Sequence, residues 1–354
     1  MNSLSHVTVV WSVIAAAALL LGLMHFVRGV MDRRWGVDLL FALTALCFVG
    51  VAYTELLSMH AASAEEWVYW IRWCYLPLTG MLIGLVLFVR RYLGTGRAWL
   101  IALLIGLRLL ILVINAFHDP AIAFDRVDSV ARVPFLGDTI SVVGQAVTSR
   151  WQWLGTVAST LLVVYVVDAA NSLWRRGDAD ERRRALAIGI SIFLYAGIGG
   201  VYVQLVIWGV TSLPILITPT FAIVILAMAF ELSRDALRAS RLARDLQESR
   251  RRLELAADAA NLGLWEWNSR TGRVWATARA REIFGLGERA VTEVEDWLAR
   301  IHPEDVTWIR PATREVLGGG GERAAEFRVC PAPGSVRWVS AHGHAERVDG
   351  GGAT

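Results

Sequence analysis

The sequence predicts a multi-domain chain: an all-α bundle of seven transmembrane helices, then a helical connector, then a small α+β domain. Three observations lead to this prediction. Of the 354 residues, 55% are hydrophobic and only 19% are charged, whereas soluble domains carry about 25% charged residues. The apolar residues are concentrated in long blocks within residues 1–232. The rest of the chain is rich in arginine, which indicates a soluble part of about one small domain.

Seven apolar segments are long enough to cross a bilayer, which takes about 20 residues. They are residues 7–28, 37–58, 67–89, 98–117, 151–171, 185–209 and 212–232. No arginine precedes the first segment and no small-residue cleavage site follows it, so we expect a span there rather than a cleaved signal peptide. Residues 1–232 are therefore expected to form one seven-transmembrane region in contact with the lipid bilayer.

The arginines predict the orientation of these spans, because cytoplasmic connections carry the excess of positive charge. The connections after spans one, three, five and seven are rich in arginine, whereas residues 59–66 contain none. We therefore expect a multi-pass protein of the inner (plasma) membrane, with its N-terminus outside and its C-terminal domain in the cytoplasm. The outer connection 118–150 is the longest, and we expect it to cap the bundle or to line a ligand mouth.

Basic residues also exclude several chemistries, because all 35 of them are arginines. Without lysine, the chain cannot hold retinal or pyridoxal phosphate as a Schiff base. It also lacks the lysine of a phosphate-binding P-loop. The three cysteines are scattered along the chain and predict neither a disulfide framework nor a metal site. We predict no catalytic residue, no cofactor, no metal ion and no nucleic-acid partner.

One polar cluster inside the spans is predicted, since ionisable groups are rare at membrane depth. Arg108 lies near mid-depth of span four, and its expected partners are Glu55 of span two and Asp168 of span five. Two interpretations stay open. The cluster either binds an anion or ligand and changes between signalling states, or is a static ion pair that fixes helix register.

The connector, residues 233–260, has the heptad pattern of an amphipathic helix. Two polar positions, Asp235 and Ser249, interrupt its apolar seam. The predicted seam consists of Leu232, Ala239, Leu242, Leu246, Leu253 and Ala256. We expect a parallel coiled coil in a homodimer. The alternative is a single helix lying on the bilayer, with its arginines attracted to anionic lipid.

Residues 261–354 alternate short strand and helix patterns. Strands are predicted at 262–268, 273–277, 322–330 and 335–348, and helices at 278–284, 292–300 and 303–317. Pro303 suits the first turn of the last helix.

This order of elements, and several motifs, resemble the PAS domain, in particular a subfamily that contains the tetrad His-Pro-Glu-Asp. The matching stretches are LGLWEWNSRTGRVWAT, AREIFGLG, WLARIHPEDV, EFRV and GSVRWVSAHG. The resemblance implies a five-stranded antiparallel sheet with helices over one face, which either binds a small ligand or only passes a signal. It gives a structural role to Trp265, Trp267, His302, Pro303, Glu304, Asp305, Phe327 and Trp338.

A second resemblance concerns the third span. The stretch WVYWIRWCYLPLTGMLIGLVLFVRRYLGTGRAW is similar to the seven-transmembrane N-terminal region of bacterial sensor histidine kinases and diguanylate cyclases. Its shared features are the aromatic entry, a mid-span proline at Pro77 and the exit Tyr92-x-Gly94.

The two resemblances together imply a sensor of membrane signal transduction, the input portion of a two-component histidine kinase. The alternatives are the input portion of a diguanylate cyclase, and a stand-alone, non-enzymatic receptor or adaptor. A transporter is disfavoured because no internal repeat of the spans is visible. We expect a small-molecule ligand, if one exists, in the bundle or the PAS pocket. The sheet is expected to lack its last strand after Asp349, with an output domain beyond Thr354.

Overall fold

The computed structural model describes residues 5–31, 36–289, 291–319, 321–345, 347–348 and 352–353. The chain divides into two compact units, Met1–Leu237 and Arg238–Thr354. Expectations that concern Asp349 and Thr354 themselves lie outside the described residues.

The first unit is a bundle of long apolar helices. They are α1 (His6–Met31), α2 (Val37–His60), α3 (Ala64–Leu93), α4 (Ala98–Phe117), α5 (Gln152–Arg176), α6 (Ala179–Phe193), α7 (Gly200–Ile207) and α8 (Ile217–Ala259). A π-helical turn, Leu194–Gly199, joins α6 to α7 within a run of glycines, so that these pieces form one long helix. In the described residues, seven helices are long and apolar enough to cross a membrane. The predicted number of seven is confirmed.

Two boundaries differ from the prediction for local reasons. The seventh apolar helix begins at Ile217 rather than residue 212, because α7 ends in a turn at Gly209 (φ 70°) and Pro214 follows. The sixth begins earlier than predicted, at Ala179. Asp178 caps that helix and forms a reciprocal capping box with Glu181. The Asp-x-x-Glu spacing of these residues is a sequence signal for the start of a helix.

The core of the bundle lies between α2, α3 and α8. Phe41, Phe48, Phe88 and Phe221 are fully buried there. The α2 and α3 backbones come so close that a Cβ atom on Gly84 would lie 2.4 Å from the Thr44 hydroxyl oxygen. Small residues permit this kind of close helix packing.

A β-hairpin covers one end of the bundle and was not predicted as strands. It consists of β1 (Phe124–Val127), β2 (Val130–Phe135), β3 (Asp138–Val143) and β4 (Ala146–Thr148), with β2 paired to β3 and β1 to β4. Leu136 and Gly137 form its two-residue turn, both with positive φ, as a primed hairpin turn requires.

This hairpin is fixed to the bundle by apolar and polar contacts. Ile140 and Val142 pack with Val7 and Trp11 of α1. The Asp138 carboxylate accepts hydrogen bonds from the Val7 N–H (2.8 Å) and the Ser5 hydroxyl (2.7 Å), which hold the pKa of Asp138 below its ordinary value. The hairpin thus caps the bundle and the start of α1.

The second unit combines short strands and helices. Its strands are β5 (Trp265–Asn268), β6 (Arg273–Ala276), β7 (Val291–Glu293), β8 (Gly321–Val329), β9 (Arg337–Ala345), β10 (Arg347–Val348) and β11 (Gly352–Ala353). Its helices are α9 (Ala278–Phe284), α10 (Val294–Leu298) and α11 (Pro303–Gly319). The predicted strand–helix order is confirmed except at the helix predicted over 292–300, where strand β7 precedes the shorter α10. Pro303 is the first residue of α11, as predicted.

The pairing of these strands corrects one implication of the resemblance. Over the described residues, the strands form an antiparallel sheet β5-β6-β7, a hairpin β8-β9 and a short pair β10-β11, not one five-stranded sheet. The first two sheets meet through side chains instead. Phe284 packs in both apolar cores, and the Trp265 ring lies close over Gly343 of β9.

Candidate functional site

The polar contacts of the bundle converge on α8, the last apolar helix. α8 has 43 residues, a length of about 64 Å at 1.5 Å per residue. It contains no glycine, and its single proline, Pro219, lies in the first turn, where proline is tolerated. An uninterrupted helix of this kind transmits rotation or sliding along its length.

The start of α8 is held by Glu55 of α2. The Glu55 side chain is 3% exposed. Its carboxylate accepts hydrogen bonds from the Ile217 N–H (3.2 Å), the Thr218 N–H (2.9 Å) and the Thr218 hydroxyl (2.6 Å). The first N–H groups of a helix have no partner within that helix and carry partial positive charge. Glu55 therefore caps α8 from a different helix.

A second set of contacts holds α8 near the boundary of the first unit. Arg183 of α6 lies 2.8 Å from the buried Glu231 carboxylate. Asp235 accepts a hydrogen bond from the Tyr92 hydroxyl (2.9 Å) and lies 3.0 Å from Arg184. We call Glu231, Asp235, Tyr92, Arg183 and Arg184 the α8 clamp. The sequence does not reveal the pairing of Glu231 with α6, because Arg183 lies 48 residues earlier in the chain.

The α1 helix also reaches the clamp region. The buried ring of His25 places Nδ1 2.6 Å from the Asp38 carboxylate, and the ring packs edge-on against Phe41. Arg28 Nε lies 3.9 Å from the same carboxylate. The Arg28 guanidinium also donates to the Leu232 carbonyl of α8 (3.3 Å). Asp38 thus joins α1 to α2 beside α8.

The predicted ion pair of Arg108 is wrong in this structure. In the described part of the chain, neither Glu55 nor Asp168 forms an ion pair with Arg108. Glu55 is occupied by the α8 start, and Asp168 lies 3.6 Å from Arg97 at the end of the bundle where α4 begins. The prediction failed because the sequence gives the position of a residue along its helix but not the direction in which its side chain points around the helix axis. Arg108 instead lines a groove of aliphatic side chains and lies near the Tyr75 and Tyr195 phenols.

The predicted seam of the connector is divided by the structure. Leu232 belongs to the bundle core and is 5% exposed, so it does not face outward as a seam residue. The remaining members, Ala239, Leu242, Leu246, Leu253 and Ala256, are exposed on α8. The seam available to a partner therefore begins at Ala239, where α8 has left the packing of the first unit.

In the second unit, the tetrad His302–Asp305 forms a hydrogen-bonded lock with β8. Asp305 accepts bonds from the Arg328 side chain (2.8 and 3.1 Å) and from the Arg328 N–H (2.7 Å), while Glu304 accepts from the same guanidinium (2.8 Å). The His302 N–H donates to the Arg328 carbonyl (2.8 Å). Sequence reasoning named the tetrad but missed Arg328, which is 23 residues away from Asp305.

This lock changes the acidity of both partners. The Arg328 side chain, and next its backbone N–H, lower the pKa of Asp305 to about 2, and the two carboxylates raise the pKa of Arg328. The Arg328 guanidinium also lies 5.7 Å from the centre of the exposed Trp338 ring. Because the Asp305 carboxylate is fully occupied by the Arg328 side chain and N–H, it fixes α11 to β8. Its role is therefore structural.

The other motif residues lie in or beside the two small cores. Phe327 is buried with Ile301, Ile309 and Val329. Trp267 packs beside Val274, Ala276 and Trp297. Trp265 is about half exposed on β5. Pro303 begins α11 and brings the tetrad into its first turn.

Comparison with known proteins concerns mainly the second unit. Residues 273–354 match the family model of the PAS fold. The Non-motile and phage-resistance protein of Caulobacter vibrioides is 29% identical over 120 residues, which is 33% of this chain and 14% of that protein. The Blue-light-activated histidine kinase of Brucella anthropi is 28% identical over 93 residues, 26% of this chain and 19% of that protein.

These relatives are much longer than the segment they share with this chain, which covers less than a fifth of either. The second unit therefore has a PAS fold of signalling type, with distant similarity to a histidine kinase. The first unit is a bundle of apolar helices that precedes it.

Proposed function

We propose that this chain is the input portion of a bacterial membrane sensor histidine kinase. In this proposal the bundle spans the inner membrane with its N-terminus outside. The connector joins two copies as a coiled coil, and the PAS domain lies in the cytoplasm. The signal reaches the bundle from the membrane or the extracytoplasmic side, and α8 relays it.

The observation that carries the proposal is the continuity of α8. One helix begins under the Glu55 cap, passes through the clamp at Glu231 and Asp235, and ends directly before the PAS fold. If a change in the bundle releases either contact, α8 is free to move. Because α8 is the element that continues toward the PAS domain, it carries that movement along the chain. The similarity of part of this chain to a histidine kinase favours phosphorylation as the output.

Membrane insertion is supported by the outer surface of the bundle. Leu20, Leu46, Val113 and Phe230 are all more than half exposed on the helices. An apolar surface of this extent in water marks a site that another apolar phase covers. The orientation is supported by the arginine-rich connections, where Arg175 and Arg176 end α5 and Arg182 lies in the first turn of α6.

Two other functions differ only in the output. A diguanylate cyclase would use the same bundle, connector and PAS domain. A stand-alone receptor or adaptor would pass its signal to a separate protein that docks on the PAS surface.

The test uses the polypeptide made from its native locus, isolated in membranes through an affinity tag. It is incubated with labelled ATP and, in parallel, with labelled GTP. A histidine kinase gives acid-labile, base-stable phosphate on the protein. Formation of cyclic diguanylate from GTP would show a cyclase instead of a kinase. If neither nucleotide gave a product, the adaptor function would be the one supported.

A further inference from the structure

We propose that the bundle binds an aliphatic carboxylic acid at Arg108, with the carboxylate on the guanidinium and the alkyl chain in a groove between α3, α4 and α5. This inference deepens the proposed sensory function, on which its physiological meaning rests, by naming the class of ligand. It concerns one charged residue whose partner the described chain does not supply.

Arg108 lies at the depth where a charge is most expensive. It is ten residues after Ala98 and nine before Phe117, the two ends of α4. At 1.5 Å per residue, both ends are therefore about 15 Å away. The midplane of a bilayer also lies about 15 Å from either edge of the hydrocarbon core, which is about 30 Å thick, and the phosphates lie beyond those edges. The phosphate of an ordinary phospholipid is thus too far away to serve as the counterion.

The carboxylates of the bundle that were expected to pair with Arg108 are engaged elsewhere. Glu55 accepts three hydrogen bonds at the start of α8, and Asp168 lies 3.6 Å from Arg97. Within the described residues, Arg108 makes no ion pair. Since a membrane-embedded cation normally pairs with an anion or an acceptor, the site lacks one negative charge.

The groups around Arg108 can bind a carboxylate well. Tyr75 of α3 and Tyr195 of the π-helical turn are its electrostatic neighbours. A guanidinium donates two parallel hydrogen bonds to one carboxylate, and a phenol can add a third. The site therefore offers donors for a single carboxylate.

The adjoining groove selects the rest of the molecule. Besides Arg108 it is lined by Leu82, Ile83, Val86, Leu104, Ile105 and Leu162, and the space between these side chains, including the part open to the outside of the bundle, is about 220 Å³. All six of these side chains are aliphatic, which favours a saturated alkyl chain over a sugar or a nucleotide. A cation at the end of an aliphatic groove is complementary to a carboxylic acid with an alkyl tail.

A direct path connects this site to α8. Tyr195 packs edge-on against Phe221 of α8, with ring centres 4.8 Å apart. Phe221 in turn packs against Phe48 of α2, at 5.6 Å. A carboxylate that draws the Tyr195 phenol toward Arg108 therefore changes the packing of Phe221, which follows the Glu55 contacts at Ile217 and Thr218 by four and three residues.

The test measures binding of dodecanoate to the full chain in nanodiscs of zwitterionic lipid, by the shift of the thermal unfolding midpoint. Dodecanol, which has the same chain and no charge, is the matched ligand. We expect dodecanoate to raise the midpoint and dodecanol to leave it unchanged. Arg108→Gln should weaken the apparent affinity by at least about tenfold, because one partner of a buried charge pair is removed.

Arg72→Gln is the control variant, since Arg72 already pairs with Asp119 at 2.6 Å, away from the groove; its affinity should match the parent's. Should Arg108→Gln fail to fold, Arg108→Lys retains the charge without the two-pronged geometry and should bind with intermediate affinity. A diazirine-bearing dodecanoate should label peptides of α3, α4 and α5 in the unaltered protein.

Equal shifts by dodecanol and dodecanoate would overturn the proposal, as would labelling of other helices. A shift caused by anionic phospholipid alone, and lost in Arg108→Gln, would assign the site to a lipid headgroup instead. Crosslinking of Arg108 to a second copy would assign it to the dimer. None of these readouts requires kinase activity. If dodecanoate does not bind but the protein is still phosphorylated, only the ligand is rejected. If dodecanoate binds but no phosphorylation occurs, only the proposed function is rejected.

Discussion

The two parts of α8 differ in what covers them. Within the first unit, Phe221, Val224 and Met228 are completely buried by other helices of the same chain. Within the second unit, Leu242, Leu246 and Leu253 are 70%, 72% and 63% exposed. The same helix is thus packed along its first part and uncovered along its second.

The polar contacts of α8 show the same difference. In the first part they reach other helices, as Glu231 does to Arg183. In the second part the ion pairs lie one turn apart on α8 itself, between Arg250 and Glu254 and between Arg252 and Glu248. Pairs of this kind stabilise a helix by only about 0.3–0.5 kcal/mol. Since most helical stability comes from packing of the apolar face, the second part needs a partner, and we propose a second copy of the chain.

The largest effect is expected at the start of the packed part. Glu55→Ala leaves two backbone N–H groups and one hydroxyl buried without their acceptor. We expect the bundle to lose about 3 kcal/mol of unfolding free energy, measured by thermal or chemical unfolding in nanodiscs. Glu55→Gln, which retains one acceptor oxygen, should lose less.

Glu65→Ala is the matched control, because Glu65 is exposed in the first turn of α3. Its unfolding free energy should change by no more than about 0.5 kcal/mol. If Glu55→Ala were as mild as this control, the start of α8 would not be fixed by α2, and the contrast between the two parts of the helix would weaken.

A smaller effect, of a different kind, is expected in the uncovered part. Leu246→Asn places an amide at the centre of the proposed dimer seam. We expect the dimer to weaken by about 2 kcal/mol, roughly thirtyfold in dissociation constant. Unfolding of the single chain should change by less than about 0.5 kcal/mol, since the side chain is exposed. Mass photometry in detergent measures the first quantity, and thermal unfolding the second.

Leu255→Asn separates the seam from general hydrophobicity. Leu255 is 59% exposed on the same helix, but its heptad position lies off the seam. Its dimer should be as tight as that of the parent protein. Equal loss in both variants, together with weaker binding to anionic vesicles, would instead favour a helix that lies on the membrane surface.

The sequence predicted the seven apolar helices because length and hydropathy suffice for that purpose. It also predicted the order of the PAS elements, because turn residues and motifs are local. The unpredicted polar contacts depend on partners that are distant in the chain. Glu55 meets Thr218, 163 residues later, and Asp305 meets Arg328 across a helix and a strand. Periodicity gives the face of a helix but not which helix it faces.

The error over Arg108 has the same origin. The position of a residue along a helix is readable from the sequence, and it correctly placed Arg108 near the middle of α4. The choice among carboxylates requires the rotation of each helix about its axis, which mostly apolar spans leave undetermined. The hairpin 124–148 was missed for another reason: its turn, Leu136-Gly137, contains a leucine with positive φ, which is rare for a residue without a small polar side chain.

The smallest expected effect is a loss of PAS-domain stability that appears only in acid and not near neutral pH. It tests whether dimer formation by the second part of α8 depends on the folded PAS domain. The pKa of Asp305 is lowered from its ordinary 3.8 to about 2 by Arg328. A carboxyl group whose pKa is lowered by folding stabilises the folded state fully when the pH is above the pKa of the unfolded state. This contribution is lost as the pH falls from about 4 toward 2. Between pH 7 and 5, Asp305 should therefore contribute no pH dependence at all.

Hydrogen exchange of residues 265–312, followed from pH 5 to 2, measures this loss. Asp305→Asn should flatten the acid dependence. Glu304→Gln should preserve it, because Glu304 binds the same guanidinium from a side chain that is 72% exposed. The dimer should persist over the range in which the Asp305 lock opens, since the seam leucines do not titrate. If the dimer instead dissociates together with the lock, the second part of α8 is held by the folded PAS domain, and exposed leucines alone do not account for its partner.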